Sequence, residues 1–223
     1  MRLTAKALSA LLGYPSAELQ AAVPEIRAAL ETEGALGARE LRALEPLLVR
    51  LSAHDIWDLQ EHYSSLFDSS GALSLHLFEH VHGESRERGQ ALVDLARRYQ
   101  DHGFLMQGSE LPDYLPLFLE FVSFLPPGEA REWLGQPAHV FGALAERLQQ
   151  RGTPYAAVFT ALLELGAGAP DPQALDEVRQ RLAAHEAKSL DEVWQEEPVT
   201  FSGAPAPQAA GGLVQRLKAA MGR

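Results

Sequence analysis

Apolar residues recur every three to four positions along almost the whole chain, the period of α-helices that each bury one face. Leu3, Ala7, Leu8, Leu11 and Leu12 make a first stripe, ended by Gly13 and Pro15. Ser16 has the right chemistry to cap a second helix carrying Leu19, Val23, Ile26 and Leu30. Pro24 lies inside that stripe and predicts a kink or a break. Gly34 and Gly37 punctuate, and Leu41, Leu44, Leu48 and Leu51 mark a third helix. A fourth, opened by Asp55 or its neighbour, carries Ile56, Leu59, Tyr63 and Leu66. After the turn "DSSG" comes a histidine-rich stretch, "SLHLFEHVHGES" at 74–85, interrupted by Gly83. Ser85 then stands where an N-cap belongs, for a helix running to about Tyr99. "ELPDYLPLFLEFVSFLPPG" holds the next, with Asp113 placed as N-cap, Pro116 in its first turn and Pro126-Pro127-Gly128 as its stop. Further helices fit 128–134, 137–150, 153–166 and 171–186. Hairpin dipeptides, sustained alternation and a fixed repeat are all missing. The pattern predicts an all-α, single-domain bundle of eight to ten helices over 1–197. From Pro198 the chain turns rich in Pro, Gly and Ala, which reads as a flexible tail over 198–223 with a short helix at "LVQRLKAAM".

Composition narrows the function. With 223 residues and 46% hydrophobic content, the chain can bury a core without covalent help. Its longest apolar block, Tyr114 to Leu125, is cut by Glu120 and Ser123 and is too short for a membrane span. The opening "MRLTAKALSALLGYP" reads as a first helix and not as an export signal, so the cytoplasm is the expected compartment. The absence of cysteine removes disulfides, thiolate nucleophiles and Cys-held metals. A net charge of −11 disfavours nucleic acid and favours cationic partners, although acidity also serves solubility alone. Stable membrane association is not expected; one short helix with Arg216 and Lys218 gives marginal affinity.

Two chemistries compete for the histidine stretch. As a metal site, His76 and His80 would share one helix face, with His82 and Glu84 completing a ligand set for a metal-dependent hydrolase. The zincin order is His-Glu-x-x-His, however, and here Glu79 directly precedes His80. The other reading is a hydrogen-bonded corner between helices. Glu79, Glu84, Asp113 and Glu120 are carboxylates beside apolar residues, but no phosphate loop or nucleophile elbow accompanies them.

The 113–125 helix is apolar nearly all round. Leu115, Phe118, Leu119 and Val122 form one stripe; Tyr114, Leu117, Phe121 and Phe124 cover most of the rest. Such a helix is central in a bundle or lines a groove. Glu120 is the exception and is expected to pair with Arg86 or Arg88, or to stand at the rim of a cleft.

"LFEHVHGESRERGQALVDL", "ELPDYLPLFLEFVSFLP" and "WQEEPVTF" together resemble the NarJ family, nitrate reductase molybdenum cofactor assembly chaperones related to the TorD-type redox enzyme maturation proteins. The resemblance runs from about Leu8 to Phe201. It implies an all-helical fold and a cytoplasmic, non-enzymatic chaperone. That chaperone binds the N-terminal, leader-like segment of the apo catalytic (alpha) subunit of respiratory nitrate reductase and keeps it competent for molybdenum cofactor insertion. The cofactor belongs to the client, so none is expected here; molybdenum cofactor delivery proteins are further candidate partners. On this reading Tyr114, Leu117, Phe118 and Phe121 are candidates for a peptide-binding groove wall and Glu120 for its carboxylate. His80, His82, Glu84 and Arg86 are expected to form a polar network, with Asp113 capping the helix that follows it.

Overall fold

A computed structural model describes residues 1–69, 71–83, 85–106 and 108–194. Among them are eleven α-helices: α1 (Arg2–Leu11), α2 (Ala17–Glu33), α3 (Ala38–Ala53), α4 (Ile56–Phe67), α5 (Leu77–His82), α6 (Arg86–Asp101), α7 (Leu115–Phe124), α8 (Pro127–Gly135), α9 (Ala138–Gln150), α10 (Ala156–Leu165) and α11 (Pro172–Trp194). The all-α expectation holds. The helix beyond the expected ten is α5, six residues inside the histidine stretch. Met1–Asp191 form one compact unit. The tail expected at 198–223 lies outside the described residues. No described helix is long and apolar enough to cross a membrane.

The caps read from sequence are in place at Ser16, whose Oγ accepts from the Leu19 amide at 3.2 Å, and at Asp55, which accepts from the Trp57 amide at 2.8 Å. Pro24 does not end α2, which continues to Glu33. α7 is the hub. Leu115, Leu119 and Phe121 are fully enclosed, and α1 packs along it. Ser9 on α1 is buried because its hydroxyl donates to the Pro116 carbonyl at 2.8 Å. An aromatic cluster extends this core: Phe121 lies 4.3 Å from Tyr99 and 4.9 Å from Trp133 between ring centroids. α8 and α10 meet end to end at Gly135, where a Cβ would stand 2.4 Å from the Ala167 carbonyl oxygen, so only glycine fits.

The segments before α5 and α7 are stitched together. His76 and Tyr114 form an isolated antiparallel bridge; the Leu77 amide donates to the Asp113 carbonyl at 3.0 Å and the Leu115 amide to the Leu75 carbonyl at 2.8 Å. This fixes where both helices begin and so positions the site.

Candidate functional site

Asp113, fully buried, is the centre of the polar chemistry. Its carboxylate does not cap α7: Tyr114 is the N-cap residue there and makes no side-chain cap bond. Instead Oδ2 accepts from the Phe78 amide at 3.1 Å, in the first turn of α5. Oδ1 accepts from His76 Nδ1 at 3.2 Å, and the Arg88 guanidinium stands 3.9 Å from Oδ2 while donating to Glu79 at 3.0 Å. The hydrogen bond to Asp113 holds the His76 pKa above its ordinary value, outweighing the opposing effect of burial.

The network among the described residues is therefore His76, Glu79, Arg88 and Asp113; His80, His82 and Arg86, expected in it, stand elsewhere. His80 is buried elsewhere, its Nε2 donating to the Ser74 carbonyl at 2.7 Å, and burial pushes its pKa down. His82 packs its ring edge-on against Phe78 at 5.4 Å. Arg86 is exposed and makes no ion pair among the described residues; Glu84 lies outside them. His76 precedes α5 in extended conformation, φ −89° and ψ 106°, so it does not share a helix face with His80. His76 and His80 each commit a ring nitrogen to a different protein partner. Among the described residues no cluster of three His, Asp or Glu side chains is placed to hold a metal ion. The geometry gives the hydrolase reading no support.

A groove of about 380 Å³ is lined by residues of α5 through α9. Phe78 and Val81 of α5, Leu95 of α6, Phe118 of α7, Trp133 of α8 and Val140 of α9 line it; the nearly enclosed Phe118, Trp133 and Val140 make its floor, and the partly buried Phe78 and Val81 a wall. Asp94, Arg98, Gln136 and His139 supply its polar atoms. The Arg98 guanidinium lies 6.0 Å from the Trp133 ring centroid, within cation–π reach. Burial lowers the pKa of His139, which lines the same groove.

The five residues expected to bind a peptide divide among different faces of α7. Phe118, 3% exposed, is the one that lines this groove. Phe121 is wholly inside the aromatic cluster. Tyr114 borders a hollow of about 160 Å³ with Tyr14, Tyr63 and Phe67. Leu117 and Glu120 face a third hollow with Lys6, Leu105 and Phe124, away from Arg86 and Arg88. At about 100° per residue, Leu117, Glu120 and Phe124 share one side of α7, about 100° to 160° around the helix from Phe118. The groove-lining Phe78, Val81 and Leu95 escaped the sequence reading. Phe78 and Val81 do share the spacing i, i+3, but in a six-residue helix that spacing carries little weight.

The fold is that of a redox enzyme maturation protein. A crystal structure of a putative redox enzyme maturation protein from Archaeoglobus fulgidus superposes with a TM-score of 0.52 and 25% identity, covering 74% of this chain and 92% of that one. The family model described as nitrate reductase delta subunit matches residues 14–161, and the chain belongs to that family, the NarJ family. It is 44% identical over 199 residues to the nitrate reductase molybdenum cofactor assembly chaperone NarJ of Escherichia coli, across 87% of this chain and 83% of that protein. The probable NarJ chaperone of Bacillus subtilis is 34% identical over 163 residues, 73% of this chain and 87% of its own length.

Proposed function

We propose that this protein is a cytoplasmic, non-catalytic chaperone for the apo catalytic subunit of respiratory nitrate reductase. It holds the N-terminal, leader-like segment of that subunit as an amphipathic helix in the α5–α6 groove while the molybdenum cofactor is inserted. Delivery proteins for that cofactor would meet the client in this complex. The observation that carries the reading is the groove itself, lined mostly by apolar side chains, with Asp94 and Arg98 as its charged ones. Such a channel suits the i, i+3, i+4, i+7 anchors of a helix. The names borne by the relatives point to the client.

The magnitudes suit reversible capture. Apolar contact gains ~25 cal/mol per Å² of surface removed from water, and ordering the segment costs about 2–5 kcal/mol. The net charge of −11 speeds the encounter with a cationic segment. Calorimetric titration with a peptide of the client's N-terminus tests this at two salt concentrations. We expect binding that weakens with salt, falls about tenfold in Phe78→Ala, and is unchanged in Glu120→Gln, whose side chain faces another hollow. No binding by the wild-type protein, or equal affinity in Phe78→Ala, refutes the assignment.

A further inference from the structure

We propose that Arg181, on α11, is a positioning residue for the groove: it clamps the C-terminal end of α5 and so sets where the groove wall stands. The inference rests on the reading of the groove as the client site, and it concerns a residue beyond the 14–161 span that the family model matches.

α5 has six residues. Isolated helices below about 12 residues are marginal in water, so this wall has to be held from outside. Both of its ends are. At the start, Asp113 accepts from the Phe78 amide through its carboxylate and from the Leu77 amide through its carbonyl. At the end, Arg181 Nη1 donates to the His80 carbonyl at 3.0 Å and to the Val81 carbonyl. These belong to the last turn, whose carbonyls have no partner within the helix. An anion at the N-terminus and a cation at the C-terminus both match the helix dipole. Phe78 and Val81, the two wall residues, stand between the clamps.

The chain beyond this end is permissive. Gly83 follows at once with φ 57°, so α6 does not dictate where α5 stops. Arg181 is delivered by a firmly seated element. Val178 and Leu182 are 3% and 2% exposed, one on each side of it in sequence. Arg179 reaches Glu146 of α9 at 2.8 and 2.6 Å, and Glu186 pairs with Arg147 and Arg151 of the same helix region. The seat of α11 on α9 therefore reaches the groove wall through the Arg181 guanidinium.

Hydrogen exchange on the full-length protein tests the clamp without any client. In Arg181→Gln the amides of residues 81–83 should exchange about tenfold faster, with those of α10 unchanged. Arg181→Lys should restore part of the protection, and Arg179→Gln, which loses the contacts to Glu146 and Asp176 and none to α5, should match wild type at 81–83. The client peptide should bind Arg181→Gln about fivefold to tenfold more weakly and Arg179→Gln normally. Unchanged exchange at 81–83 in Arg181→Gln overturns the proposal. Faster exchange with unchanged peptide affinity also overturns it, because α5 would then be clamped to no effect on the groove. If wild-type protein binds no peptide, the groove reading fails, and the exchange comparison still decides whether Arg181 holds α5.

Discussion

α5 and α7 both build the groove, and they are held by opposite physics. α7 is surrounded: Leu115, Leu119 and Phe121 are fully enclosed and Phe118 nearly so. Its position is fixed by apolar burial, which has no preferred direction and is spread over many contacts. α5 buries Leu77 and His80, and its place is fixed by a few directional bonds from Asp113, Arg181 and the Ser74 carbonyl. The floor of the groove is thus part of the core, while one wall is a separately fastened piece. Opening at the wall should therefore cost less than opening at the floor, since local opening draws on the least-buried elements.

The largest effect should come from breaking the floor's support. Phe121→Ala removes a fully enclosed ring between Tyr99 and Trp133 and should cost about 3–5 kcal/mol in denaturant unfolding. Phe124→Ala, three residues on and 61% exposed, should change stability by only about 0.5 kcal/mol. Similar losses for the two would mean that α7 is not anchored by burial on one side.

Breaking the wall should cost less globally and more locally. Asp113→Ala strands the Phe78 amide and leaves Arg88 and His76 without their buried partner. The expected loss is about 2 kcal/mol, with the exchange of α5 amides rising well beyond that of α7. A uniform rise across both helices would erase the distinction between them.

The same contrast explains what could be read from the sequence. Periodicity exposed nearly every long helix, because a half-buried helix must repeat its apolar residues every turn. Ser16 and Asp55 were legible as caps because they act on their own helices, two and three residues away. Asp113 has the same chemistry but acts on a helix 35 residues earlier, and no local pattern records that. The faces of α7 were hidden because a helix apolar on all sides carries no marker of which side meets a groove; Leu117 and Phe118 look alike in sequence and face different hollows. The His76–Asp113 and Arg181–α5 contacts span 37 and about 100 residues and follow from tertiary packing alone.

The smallest effects are the finest test of how α5 is held. His76 and His80 are four residues apart and should titrate on opposite sides of about 6.5, the ordinary histidine value. Asp113 raises the pKa of His76, so its contribution to stability is fully present below about 6.5 and is lost as pH rises through its folded value. Burial lowers that of His80, so its neutral ring favours the fold above about 6.5, and this contribution is lost as pH falls towards its folded value. Imidazole proton shifts followed by NMR should give a midpoint above the ordinary value for His76 and below it for His80. His76→Gln should destabilise more in acid than in base, while His80→Gln should lose least in acid. In Asp113→Asn the His76 midpoint should fall and the His80 midpoint should stay below 6.5, because burial rather than Asp113 sets it. Two histidines moving together in that variant would mean that α5 is not fastened at separate points by separate partners.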